Sequence, residues 1–418
     1  MKKLLALTLV MLVTACGGDA TKLTPTTYSA LNGWQDDQVS EAFKVFADSC
    51  VANASRKNAY QSKEEGPIGV KQNWNRVCNM ATSVGQPNDA QARQFFENNF
   101  TPYKVETESK STGTDTGYYE PILRGSRTRV APYLTPVHGV PSNLGGRKYS
   151  RAEILSGALG NRAPILLYVD DPIMLFFLHI QGSGKVRLSD GSLVGLQYAG
   201  QNGYSFVPIG RILKKRGELP QPSMQGIRDW LRAHPDQADE VMNTNPSYVF
   251  FKLSPGDQMA KGALGIPLTP LRSIAIDDDR ATYGVPTYID TSVTRYPTGG
   301  QTPLRRLFVS QDTGGALKGP ARADIFFGRG EVEEWQAGHQ NAQGNTFWLL
   351  PTDEGMKLPD NLPPAIESID DMPVETPPAA VKSPTLDDAS PLPVEPLAPP
   401  APLDAQDPNA TEFEIPAQ

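Results

Sequence analysis

Apolar positions recur at helical spacing in two parts of the chain and at strand spacing through most of the rest. Val39, Ala42, Phe43 and Phe46 fall on one helix face, and residues 89–100 carry a second such face in Phe95, Phe96 and Phe100, with Asn88 or Asp89 placed to cap it. Residues 36–100 are therefore predicted to hold two amphipathic helices. From Gly117 onward the texture changes to short apolar runs broken by Gly, Pro and Ser, at 165–169, 177–181, 185–188 and 248–252, which read as strands. Met224, Ile227, Trp230 and Leu231 restore helical spacing until His234-Pro235 ends it. Further strand-like runs at 272–276, 286–290, 306–310, 323–327 and 346–350 have nearly even spacing with turn residues between them, the pattern of a small closed barrel. The apolar stretch 163–180 is interrupted by Pro164, Asp170, Asp171, Pro172 and His179, so it reads as buried strand and short helix rather than a membrane span.

The two ends follow different rules. Lys2 and Lys3 precede an apolar run of about ten residues, Leu4 to Val13, too short to cross a bilayer and suited to a signal peptide over 1–15. It ends in Val13-Thr14-Ala15-Cys16, which resembles the lipobox at which bacterial lipoproteins are cleaved and acylated, so Cys16 is the expected lipidation site. Gly17 rather than Asp follows it, which by analogy with bacterial sorting favours the periplasmic face of the outer membrane. At the other end, residues 352–418 hold 14 acidic residues, 2 basic ones and 15 of the chain's 38 prolines, with Phe413 the sole aromatic residue. Such a segment cannot bury enough apolar surface to offset its ordering entropy and is expected to be a disordered tail. The formal charge of -7 is thus the sum of -12 in the tail and +5 in residues 1–351. Hydrophobic residues at 39% and charged residues at 20% exclude a multi-span membrane protein and a wholly disordered chain.

Cys50 and Cys78 remain, and in an exported chain they read as a disulfide closing 28 residues, with two buried thiols as the alternative. No Cys/His spacing suggests a metal: His138, His179, His234 and His339 are scattered, and no HExxH motif occurs. No metal and no cofactor are expected. Gly182-Ser183-Gly184 lacks both phosphate-loop spacings, and no nucleic-acid partner is expected.

Two groups of residues carry candidate chemistry. Gln311-Asp312-Thr313-Gly314-Gly315 and Ala323-Asp324-Ile325 each place an Asp at an apolar strand, where a barrel rim would hold it rigidly. If neighbouring strands bring the two together, repulsion and desolvation raise one pKa, as a general acid requires. On spacing alone, turn capping by Asp before Gly has the edge. The second group combines Tyr119 and Glu120, Gln181 and Ser183, and Tyr198 and Asn202, amides, hydroxyls and rings of the kind that carbohydrate recognition uses.

In combination, Gly117-Tyr-Tyr-Glu-Pro121, Gln181-Gly-Ser-Gly184, Tyr198-Ala-Gly-Gln-Asn-Gly203, Asn245-Pro-Ser-Tyr-Val-Phe-Phe251, Pro267-Leu-Thr-Pro-Leu-Arg-Ser273 and Gln311-Asp-Thr-Gly-Gly315 resemble the membrane-bound lytic murein transglycosylase A family from Gly117 to Leu350. The resemblance implies a mainly β fold with α: N-terminal helices, a double-psi β-barrel and a second, inserted β-barrel, separated by a deep groove. The corresponding division is 16–112 for the linker and helices of domain 1, 113–250 for the inserted domain 2, 251–351 for the barrel completing domain 1, and 352–418 for the tail.

The family cleaves the β-1,4 bond between N-acetylmuramic acid and N-acetylglucosamine in peptidoglycan glycan strands, with the muramyl 6-hydroxyl closing a 1,6-anhydro ring. That reaction needs one acid/base carboxylate, because the nucleophile is intramolecular. By the family's motif this is Asp324, with Asp312 its neighbour in the site. The approach Arg322-Ala323-Asp324 replaces an aromatic residue that some members carry before the Asp. Since a counter-charge would lower the acid's pKa, Arg322 is expected to point away. Two alternatives are a glycoside hydrolase of murein using both Asp312 and Asp324, and a non-catalytic peptidoglycan-binding lipoprotein.

Overall fold

A computed structural model describes residues 20–69, 71–142 and 146–352. The expected signal peptide, the lipidation site Cys16 and all but the first residue of the acidic tail lie outside these residues. Among the described residues no helix is long and apolar enough to cross a membrane.

The N-terminal part runs β1 (Thr21–Pro25), α1 (Val39–Ala54), a minimal hairpin of β2 (Gln61–Ser62) and β3 (Gly66–Pro67), α2 (Lys71–Thr82), α3 (Asp89–Asn99) and β4 (Phe100–Thr107). Asn88 caps α3 through a capping box, its side chain accepting the Gln91 N–H while the Gln91 side chain accepts the Asn88 N–H. Three helices stand where two were expected. The additional one, α2, buries Trp74, Val77, Cys78 and Ala81 at i, i+3, i+4 and i+7, a stripe hidden in the sequence among Asn, Gln and Arg. A disulfide joins Cys50 of α1 to Cys78 of α2, and Phe43, Phe46, Phe95, Phe96 and Phe100 pack ring against ring beside it.

After β5 (Gly113–Tyr118) the chain enters a second sheet built from β6 (Ile122–Ser126), β7 (Thr135–His138), β8 (Ile165–Val169), β9 (Ser183–Leu188), β10 (Leu193–Gln201) and β11 (Val249–Pro255). Its order is β11-β10-β9-β6-β8-β7, and a bridge between Gly139 and Phe251 brings the two edges together. Helices α4 (Arg151–Leu155), α5 (Pro172–Gln181), α6 (Ile209–Arg216), α7 (Met224–Ala233) and α8 (Pro235–Asn243) fill the connections. Residues 177–181, expected as a strand, form the second half of α5. Asp171 caps that helix by accepting the Ile173 and Met174 N–H groups, and Pro172 sits in its first turn, so the apolar run is a buried helix that periodicity alone cannot separate from a buried strand.

The chain then returns through β12 (Ser273–Ile276), β13 (Pro286–Thr294), β14 (Gln301–Thr313), β15 (Arg322–Phe326), α9 (Glu331–His339) and β16 (Asn341–Pro351). Strands β16, β13, β14, β12, β15 and β5 pair in that order, and β5 pairs again with β16, closing a six-stranded barrel. The pairs β12–β14 and β15–β5 are parallel and the others antiparallel, the mixed pattern of the expected double-psi barrel. Strands β4 and β1 extend the sheet from β16.

Arg272 locks the helices to this barrel. Its fully buried guanidinium forms a two-pronged pair with Asp37 at 2.9 and 3.1 Å, reaches Glu41 at 2.9 Å, and donates to the Gln38 and Leu307 carbonyls.

Candidate active site

Both candidate acids stand in one row across four neighbouring strands. Ala275 of β12 is in register with Asp312 of β14 on one side and with Asp324 of β15 on the other, and Asp324 is in register with Thr116 of β5. Strands roughly 4.8 Å apart put the Cα atoms of the two acids roughly 10 Å apart, on either side of β12. A bulge contributes to this placement: β14 advances from Ser310 to Asp312 while β12 advances by one residue. The extra residue, Gln311, turns inward to accept from the Ser273 hydroxyl at 2.6 Å and donate to that of Ser49 at 2.8 Å.

The two carboxyls differ in how their oxygens are used. Asp312 Oδ1 accepts the N–H groups of Ala263 and Thr313, both at 2.9 Å, and Oδ2 accepts the Tyr118 hydroxyl at 3.1 Å. Asp324 Oδ1 accepts the Thr116 hydroxyl at 2.8 Å, and among the described residues no donor reaches Oδ2. Tyr118, Ala275, Leu317 and Phe326 form an apolar cluster beside both acids. Burial pushes Asp312 up to about 6, against the pull of its three donors, with the charge of Asp324 adding to the rise. Burial likewise raises Asp324, against the Thr116 bond and the positive charge of Arg322.

Arg322 does not bond Asp324, yet it stays close. Its guanidinium donates to the Thr114 carbonyl at 2.6 Å, the Ala323 carbonyl at 3.0 Å and the Thr116 hydroxyl at 2.9 Å. It is therefore one residue removed from the acid rather than turned away from it.

The expected sugar-contacting residues divide into two sets. Tyr198 is exposed at a bulge in β10, Ser183 is half-buried on β9, and Gln181 keeps a partly exposed side chain while its Oε1 accepts the Tyr119 N–H at 3.0 Å. Tyr119, Glu120 and Asn202 are buried. Tyr119 faces Glu334 and Arg228, which themselves form an ion pair. Glu120 is held by Arg329 at 2.6 Å and lies 3.4 Å from Lys185. Asn202 donates to the Tyr149 and Pro246 carbonyls and accepts from the Tyr204 and Tyr248 N–H groups, which uses all four of its hydrogen-bonding positions. Asn202 therefore serves the fold around the site, whereas Glu120 Oε1 has no hydrogen bond among the described residues and only the Lys185 ammonium near it.

The structure adds Thr116 and Tyr118 to the site, two residues apart on one face of β5. Strand alternation was the available signal, since of two consecutive tyrosines only one can face the acids. Gly117 between them is required by packing: a Cβ there would collide with the Phe327 ring and the Ala337 backbone. Among the described residues, one acidic group, Asp277, Asp278 and Asp279, is compact enough to consider for a metal. Its carboxylates are paired with Lys63 and Lys318.

Residues 114–252 match the MltA specific insert domain and residues 272–350 match the 3D domain. The membrane-bound lytic murein transglycosylase A of Escherichia coli K12 is 36% identical over 246 residues, an alignment covering 57% of this chain and 66%, just under two thirds, of that protein. A crystal structure of the membrane-bound lytic murein transglycosylase from Agrobacterium tumefaciens superposes with a TM-score of 0.71 at 30% identity, covering 79% of this chain and 98% of that one. E. coli MltA with bound chitohexaose superposes with a TM-score of 0.62 at 27% identity, covering 79% and 94%. Two matched family domains, together with a relative at 30% identity covered almost end to end, establish that this chain belongs to the membrane-bound lytic murein transglycosylase A family.

Proposed function

We propose that this chain is a lytic transglycosylase of peptidoglycan, with Asp324 as its single acid/base. The observation that carries this reading is the unequal use of the two carboxyls. Asp312 has both oxygens occupied by three donors, whereas Asp324 keeps Oδ2 for a reacting group. Protonated Asp324 gives its proton from Oδ2 to the glycosidic oxygen between N-acetylmuramic acid and N-acetylglucosamine as the bond from that oxygen to the muramyl C1 breaks. The carboxylate then takes the proton of the muramyl 6-hydroxyl as O6 bonds to C1, forming the 1,6-anhydro ring and restoring the acid. Burial favours the protonated form needed for the first half, and the Thr116 bond supports the ionised form needed for the second.

The relative that binds chitohexaose, a β-1,4-linked oligosaccharide, supports a glycan chain as the ligand. Acylation at Cys16 would hold the enzyme on the periplasmic face of the outer membrane, within reach of murein. Domain 2 over 113–250 and the barrel over 251–351 would form the two walls of the glycan groove. Digestion of purified sacculi followed by mass spectrometry tests the reading. Wild type should release 1,6-anhydromuramyl products, and Asp324→Asn should lose at least about 100-fold in rate. Products that carry an added water would assign a hydrolase, and undiminished clearance by Asp324→Asn would remove the carboxyl from the chemistry.

A further inference from the structure

We infer that Arg322 and Thr116 form a one-way relay that fixes which oxygen of Asp324 carries the catalytic proton. The inference rests on Asp324 being the acid/base. A guanidinium has donors and no acceptor, so at the 2.9 Å contact Arg322 Nη2 donates and Thr116 Oγ1 accepts. The Thr116 hydroxyl has one proton, and with its oxygen already receiving Arg322 that proton is directed to the other neighbour, Asp324 Oδ1, at 2.8 Å. An oxygen accepting that bond is the carbonyl-type oxygen of the acid. The proton of neutral Asp324 is thereby placed on Oδ2, the oxygen that no described donor reaches.

Register makes the relay part of the barrel. Arg322 and Asp324 lie two residues apart on β15, and their partners on the parallel strand β5 are Thr114 and Thr116. Side chains two apart on a strand share a face, so the arginine, the hydroxyl and the acid meet without any loop. The further bonds of Arg322 to the Thr114 and Ala323 carbonyls hold its fork in place, which keeps the direction of the relay constant as Asp324 loses and regains its proton. Thr116 and Arg322 are positioning residues: they act on the reaction through Asp324. Tyr118, two residues further on the same strand, does not duplicate this role because its hydroxyl is given to Asp312.

The test compares Thr116→Val, Thr116→Ser, Arg322→Met and Arg322→Lys in the full-length enzyme acting on sacculi across pH, with thermal melts to verify folding. Thr116→Val is expected to lower kcat about tenfold with KM unchanged, and to move the basic limb of the pH profile up by about one unit, the size of one lost hydrogen bond to a charged group. Thr116→Ser restores the hydroxyl and should stay within about twofold of wild type. Arg322→Met should shift the limb in the same direction, and Arg322→Lys, still a donor without an acceptor, should shift it less. A folded Thr116→Val with wild-type kcat and pH profile would overturn the relay while leaving Asp324 as the acid. Should Thr116→Val fail to fold, equal profiles for Arg322→Met and Arg322→Lys would overturn it instead. Failure of the underlying reading has a separate signature, an active Asp324→Asn.

Discussion

Replacing Asp115 by Asn should stabilise this protein, and by an amount that grows with pH. Asp115 is fully buried on β5, among the described residues its carboxyl meets no donor beyond the weak approach of Thr291, and it packs so closely on Gly344 of β16 that a Cβ at 344 would strike Oδ2. Burial pushes its pKa up to about 7, with neighbouring Thr291 and Arg322 pulling it back only in part. In the unfolded chain it returns to the ordinary value of 3.8. The sign follows from linkage. Below pH 3.8 both states hold the proton and ionisation contributes nothing. Between 3.8 and about 7 the unfolded state releases the proton and the folded state does not, so stability falls as pH rises. Above about 7 the penalty is constant.

A displacement of about 3 units corresponds to about 4 kcal/mol above pH 7, about 2 kcal/mol at pH 5 and under about 1 kcal/mol at pH 4. Asn keeps the shape and removes the ionisation. Urea denaturation of wild type and Asp115→Asn at pH 4, 5 and 8 reads the difference directly, and subtraction cancels the contribution of every other carboxyl, including Asp312 and Asp324. A difference that does not change with pH, or an Asn variant less stable than wild type at pH 8, would refute the reasoning.

Two further perturbations probe the elements that hold the site in place. Asp37→Ala leaves Arg272 buried without its two-pronged partner and should cost about 3–5 kcal/mol, measured by urea melts at neutral pH; a loss under about 1 kcal/mol would show that Glu41 suffices. Cys50→Ser opens the 28-residue loop between α1 and α2 and should cost about 3.5 kcal/mol in the same assay, and an unchanged midpoint would mean that aromatic packing alone fixes the two helices.

Strands β8, β9 and β11 to β16 were readable as apolar runs between turn residues, whereas β1, β4 to β7 and β10 carry too few consecutive apolar residues to stand out; the two acids were legible as candidates through the family motif, because spacing alone favours turn capping. What polarity could not reveal is the direction in which a polar side chain faces. Asn202 and Glu120 have the composition of a sugar-binding set, but the same donors and acceptors serve buried networks equally well, and Asn202 spends all four of its positions inside the fold. Thr116 had the opposite fate. A threonine in a strand is unremarked in sequence, and it gains meaning from the parallel register of β5 with β15, which sets it beside an acid 208 positions away. The helix α2 was missed for a third reason: its five buried apolar positions are outnumbered by polar residues, one of which, Asn73, is buried as well.

The proposed division of labour between Asp312 and Asp324 lies beyond sequence for the same reason. Both are aspartates at a strand of one barrel, both border the same apolar cluster, and burial raises both. Charge and hydrophobicity therefore do not tell them apart. The difference is in the count of donors, three for Asp312 and one for Asp324, and that count is set by what closes over each strand: the Ala263 backbone and the Tyr118 ring over β14, an ordered threonine over β15. A carboxyl with every oxygen occupied holds its surroundings in place. A carboxyl with one oxygen fixed and one that no described donor reaches is arranged to pass a proton in a defined direction, which is why the proposed acid/base role falls to Asp324 rather than Asp312.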